Sequence, residues 1–167
     1  MALHRPQAID VLEAGQAELD SLFNQLDVEQ LSRPSTIGGG WAAKDLMGHI
    51  AFWEELALDT VDAVRGGLKP RVDGVETDQL NAENQAEQQA QSTAELRSRA
   101  ASAHEAILAA IQSLSEAEWN APLPWPDARE PTLGDLLGGV LGAPDRPFGH
   151  AYAHLDDLRA YVASAAT

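Results

Sequence analysis

The stretch Trp41-Ala42-Ala43-Lys44-Asp45-Leu46-Met47-Gly48-His49 decides how this chain folds. It follows Gly38-Gly39-Gly40, which cannot sit inside a helix without cost, so it marks a helix start near Ala42. From there Leu46, Ile50, Trp53, Ala57, Val61 and Val64 recur at spacings of three and four, the stripe of an amphipathic helix, until Gly66-Gly67 ends it. His49 stands three after Leu46 and four before Trp53, so it flanks the buried face.

The same period appears on either side. Pro6 suits a first helical turn, and Ile9, Leu12, Gln16, Leu19, Phe23 and Leu26 form a stripe that predicts a helix to about Leu31, stopping before Pro34. Residues 35–40 and 66–78 read as loops. Residues 79–95, rich in Gln, Ala, Glu and Asn, favour helix by propensity but offer no apolar face before Leu96. Leu96, Ala100, Ala103, Ile107, Ala110 and Leu114 give a third long helix its stripe. Trp119 to Pro131 reads as a loop, holding Pro122, Pro124, Pro126 and Pro131. Thr132-Leu133-Gly134-Asp135 starts a short helix over about 133–141. Gly142-Ala143-Pro144-Asp145-Arg146-Pro147 breaks it, and a last helix follows from about Phe148 to Ala163, with Ala151, Leu155, Leu158 and Val162 inward. No segment alternates with period two. The expectation is an all-α, up-down four-helix bundle with an extra short helix before the last long one, as a single domain over residues 1–167.

Composition narrows the partners. Eleven basic residues against 26 acidic give a net charge of -15, which disfavours nucleic-acid phosphates and anionic membranes, so neither is expected as a partner. The chain has no cysteine, so disulfides, thiolate ligands and a cysteine nucleophile are excluded, and any protein metal ligand is a histidine or a carboxylate. The N-terminus lacks a signal-peptide core and no run of 18 apolar residues occurs, which reads as a cytoplasmic protein.

Chemistry concentrates in the histidines. His150 and His154, in Gly149-His150-Ala151-Tyr152-Ala153-His154, are one helical turn apart and share a face. With His49 from another helix they would form a facial site for a divalent metal, leaving positions open for water or substrate. The competing reading makes His150 and His154 rim residues and packs His49 against Trp53. His4 and His104 lack such context and read as solvated. Asp157, three after His154, and Glu54, five after His49, are placed to orient an imidazole, but the plainer reading is two solvated acids; neither is assigned a catalytic role. Trp53 is expected in the core, Trp125 as a pocket or lid residue, and Asn81 and Asn84 as helix caps. No phosphate loop, dinucleotide-binding glycine pattern, Ser–His–Asp spacing or HExxH motif is present.

The Trp41–His49 stretch, taken with His150 and His154 on a final helix, resembles the DinB-like four-helix bundle superfamily in element order and length from Asp10 to Val162. Leu80-Asn81-Ala82-Glu83-Asn84 and Thr132-Leu133-Gly134-Asp135-Leu136-Leu137-Gly138-Gly139 are similar to its ClbS/DfsB branch, while the Pro-rich break at 142–147 departs from the pattern. The resemblance implies one divalent metal per chain, zinc or nickel, held by His49, His150 and His154. It implies a metal-dependent enzyme, a hydrolase or thiol transferase, that activates water or a low-molecular-weight thiol toward an electrophilic small-molecule substrate. The branch implies an alternative, a protective protein that binds or hydrolyses a reactive metabolite without metal. A third reading is a non-catalytic homodimer with vestigial histidines, paired through the Ala-rich face of the third long helix.

Overall fold

A computed structural model describes residues 3–166. Four long helices make the bundle: α1 (Arg5–Phe23), α3 (Ala43–Arg65), α5 (Thr93–Ser113) and α8 (His150–Ala165). Between them lie α2 (Val28–Ser32), a hairpin of β1 (Pro34–Ile37) and β2 (Trp41–Ala42), a single 3-10 turn (Arg71–Asp73), α4 (Thr77–Gln88), α6 (Glu116–Trp119) and α7 (Leu133–Val140). The bundle and the short helix ahead of the last long one match the reading of the periodicity.

Helix α3 is the axis of the molecule. Every residue from Leu46 to Glu54 is buried, so this stretch is enclosed all round, as a helix in the middle of a core must be. Its most extensive partner is α5, which lays Leu96, Ala100, Ala103, Ile107 and Ile111 against it. Gly48 permits the closest approach: a Cβ there would collide with the Gln88 side chain and come within 2.9 Å of Leu96. No described helix is long and apolar enough to cross a membrane.

Three segments differ from the sequence reading. The first helix stops at Phe23 rather than near Leu31. Asp27 caps a new helix by accepting from the Gln30 backbone N–H at 2.8 Å, while the Gln30 side chain accepts from the Asp27 N–H at 2.9 Å. Residues 35–40 are no plain loop but most of a hairpin. Its turn is Gly38-Gly39-Gly40 with φ of 53°, 82° and 135°, a run of left-handed backbone that only glycine adopts readily. Residues 77–88 form α4, whose inward face is Leu80, Asn84 and Gln88. This face is mostly amide rather than apolar. Gln88 donates to the Asp45 carbonyl at 3.2 Å and to the Gln85 side chain at 2.8 Å, and Asn84 donates to Gln88 at 3.2 Å.

Candidate metal centre and its cavity

The break at 142–147 sets the entry of α8. Ala143 and Arg146 pair across a tight turn, and Phe148 takes a left-handed φ of 59° that drops its ring into the core, stacked on Trp119 at 5.7 Å. The His150 backbone N–H then donates to the Leu141 carbonyl at 2.9 Å. His150 thus becomes the first residue of α8, and His154 follows one turn on. The hairpin fixes the other side. Ser35 Oγ donates to the Trp41 carbonyl at 2.6 Å, and the Trp41 ring lies 4.9 Å from that of His49.

His49, His150 and His154 come together. Their ligand atoms all lie within 4.8 Å of one another, with His49 Nε2 at 3.0 Å and His154 Nε2 at 3.2 Å from His150 Nε2. Two nitrogens each ~2.0–2.1 Å from a shared ion lie ~2.8–3.4 Å apart at angles between ~90° and ~110°, so the His49–His150 and His150–His154 spacings suit one small divalent ion. Burial favours the uncharged form of all three rings. It lowers His49 to a pKa of about 3, with the nearby His154 adding to the shift. It also drives His150 well below the ordinary imidazole value, helped by His49 and then His154. His154 is lowered by burial against an upward pull from Asp157. Neutral imidazoles with converging Nε2 atoms are the form in which histidine binds metal.

The cluster opens into a cavity of about 440 Å³. Trp41 and Trp53 stand beside the histidines, Val72, Leu80, Leu136 and Val140 form apolar walls, and Asn81, Arg129 and Glu130 add polar groups. Trp53 donates to Asn81 Oδ1 at 3.1 Å. That bond corrects the cap reading of Asn81, and Asn84 is a buried core amide rather than a cap. Trp125 does not line the cavity. Its indole N–H donates to the buried Asp73 carboxylate, which also accepts from the Arg129 backbone N–H at 3.0 Å. The tryptophan therefore fastens the 122–131 loop to the 3-10 turn and so sets the wall that carries Arg129. The sequence reading missed Val72, Val75, Thr77, Arg129 and Glu130 as lining residues, because they sit in connecting segments with no periodic signal.

Two further expectations are overturned. Glu54 is only 4% exposed, and its Oε1 lies 2.7 Å from His104 Nδ1. Neither is a free solvated group: α3 is enclosed on all sides at Glu54, and α5 presents His104 to it. Burial pushes the Glu54 carboxyl up, against the downward pull of the His104 hydrogen bond.

The DinB superfamily model matches residues 11–142. The chain belongs to that superfamily. Among curated proteins, none matches it. Solved structures share the fold. An uncharacterised protein of Escherichia coli UTI89 superposes with a TM-score of 0.75 at 17% identity, over 96% of this chain and 93% of its own. The colibactin self-resistance protein ClbS, in complex with double-stranded DNA, gives 0.74 at 16% identity, over 93% of this chain and 95% of its own. The mycothiol-dependent maleylpyruvate isomerase gives 0.73 at 15% identity over 93% of this chain, which spans 61% of the isomerase. The ClbS likeness agrees with the branch suggested by Leu80–Asn84 and Thr132–Gly139. At these identities the likeness speaks for the fold alone.

Proposed function

We propose that this chain is a metal-dependent enzyme of the DinB superfamily, with one zinc or nickel ion held by His49, His150 and His154. The single observation that carries the reading is the convergence of three uncharged imidazoles at one edge of a cavity large enough for a small molecule. The bound ion would serve as a Lewis acid and lower the pKa of a bound water or small-molecule thiol toward neutrality.

The chain's own residues then define what can react. Trp41, Trp53 and the aliphatic walls exclude bulk water from one side of the cluster and receive an apolar substrate body. Asn81 is held by Trp53 and keeps a fixed polar contact beside it. Arg129 faces the cavity and is tied to Glu76 at 3.2 Å. There is no cysteine, so a thiol nucleophile must come from outside the chain. The isomerase relative is mycothiol-dependent, which supports screening low-molecular-weight thiols before other co-substrates. A metal-free binding role would use the same cavity, since Asn81 lines it together with the histidines.

Elemental analysis of protein purified without a histidine tag or chelators tests the reading. About one zinc or nickel per chain in the wild type and none in His154→Ala supports it. No metal in either removes it, and turns attention to metal-free capture of a reactive metabolite.

A further inference from the structure

Among the described residues, Glu54 is the one strongly buried acid with half of its carboxylate uncommitted. Oε1 meets His104, whereas Oε2 is buried with no partner among the described residues. Leaving a buried carboxylate oxygen bare is costly, and such an atom calls for an unseen partner. The surroundings offer a place for one. A small, partly enclosed cavity of about 10 Å³ is bordered by Glu54, Gln16 and His150, with Leu12, Ile50, Leu141 and Phe148 as apolar walls. One probe sphere, ~10–15 Å³, is what a single water needs, together with two to four polar neighbours.

His150 also faces both ways, toward the histidine cluster and toward this small cavity. Its Nε2 lies 3.0 Å from that of His49 and 3.2 Å from that of His154, so Nε2 is the nitrogen turned to the cluster and Nδ1 is the one left over. Among the described residues Nδ1 makes no hydrogen bond to protein. Gln16 has committed its amide nitrogen to Asp20 at 2.9 Å, which leaves its carbonyl oxygen as an acceptor.

We infer that the small cavity holds one ordered water that links Glu54 Oε2 to His150 Nδ1, making Glu54 a positioning residue for the histidine cluster. The water accepts from His150 Nδ1–H and donates to Glu54 Oε2 and Gln16 Oε1, so each of the three finds a partner. His104 anchors the other carboxylate oxygen from α5. The arrangement fixes the His150 tautomer, turns its Nε2 lone pair toward the cluster and makes that nitrogen more basic. The inference rests on the metal reading for its purpose, yet its central claim concerns water and tautomer and can be tested without metal.

The first test is a crystal structure of the metal-free wild type at a resolution that shows ordered water. The second is the 15N spectrum of the His150 ring. A water at about 2.7–3.2 Å from both His150 Nδ1 and Glu54 Oε2, with the hydrogen on Nδ1, is the expected result. Zinc affinity by chelator competition should fall about 10- to 100-fold in Glu54→Leu and less in Glu54→Gln, whose amide oxygen still accepts from water. A dry cavity in the wild type overturns the inference. So does a Glu54→Leu protein with unchanged His150 tautomer and unchanged zinc affinity. If Glu54→Leu does not fold, the wild-type density and spectrum decide alone. If the wild type takes up no zinc, the metal reading fails, while the water and the tautomer still stand or fall by themselves.

Discussion

Helix α3 carries a buried titratable cluster on each of two faces, and the two are built on opposite principles. On one face His49 joins His150 and His154, three imidazoles whose Nε2 atoms meet beside an open cavity. On the other, Glu54 and His104 form an acid–base pair that answers itself with a hydrogen bond. The first cluster brings together three imidazole nitrogens and no acid. The second joins α3 to α5 through Glu54 Oε1, and leaves Oε2 without a partner among the described residues. Burial alone therefore does not mark a site. What sets the histidine cluster apart is three like groups meeting at the edge of a cavity.

The contrast breaks most sharply under single substitutions. His154→Ala removes a proposed ligand but no paired charge, so metal content should fall from about one per chain to none, by elemental analysis, while the stability of the metal-free protein changes by less than about 1 kcal/mol, by urea titration of both proteins in chelator. His104→Ala should do the reverse. It strands a buried carboxyl and should cost about 2–4 kcal/mol, yet the protein should still take up one metal at saturation. If His104→Ala lost its metal and kept its stability, the two roles would have to be exchanged.

Titration sharpens the comparison, because the two faces have opposite signs. The histidines of the cluster have depressed folded-state pKa values, so their contribution to stability is full above pH 6.5 and is lost as pH falls, down to about 3 for His49. Glu54 has a raised value, so its contribution is full below pH 4.5 and is lost as pH rises. Between pH 4.5 and 6.5, metal-free wild type minus His49→Leu should therefore lose melting temperature as acid is added. Over the same interval wild type minus Glu54→Gln should gain it. Matching slopes would show that the faces do not differ as described.

Gly48→Ala probes the packing both faces share. A methyl group pressed into buried Gln88 and Leu96 should cost about 1–3 kcal/mol by thermal unfolding. The smallest effect is expected of Trp53→Phe. It gives up the hydrogen bond to Asn81 but keeps an aromatic wall, and should cost about 1 kcal/mol with metal content unchanged.

Much of this was legible beforehand. The stripes of α1, α3, α5 and α8 report apolar burial directly, and the i, i+4 pair His150/His154 flanks its stripe just as His49 does, so their convergence follows once the helices pack. Other features were hidden for definite reasons. The α1 stripe runs on through Phe23, Leu26 and Leu31, all buried, so periodicity bridges the break. Only the Asp27–Gln30 capping pair betrays it. Helix α4 buries Asn84 and Gln88 on bonds to a neighbouring helix and to each other, which no apolar count can register. Glu54 and His104 look like surface residues because each is polar. Their burial depends on meeting across two helices, a fact absent from either segment alone.

The locked turn before α8 has a practical consequence. Its exposed tip, near Pro144 and Asp145, is bracketed by the Ala143–Arg146 pairing, and beyond that by the bond from His150 to Leu141. The tip should therefore accept changes in length while the histidine stays where it is. Pro144 also borders the large cavity. A short peptide or dye grafted at that tip would sit beside the cavity as an optical reporter of what enters, with the histidine cluster unaltered beneath it.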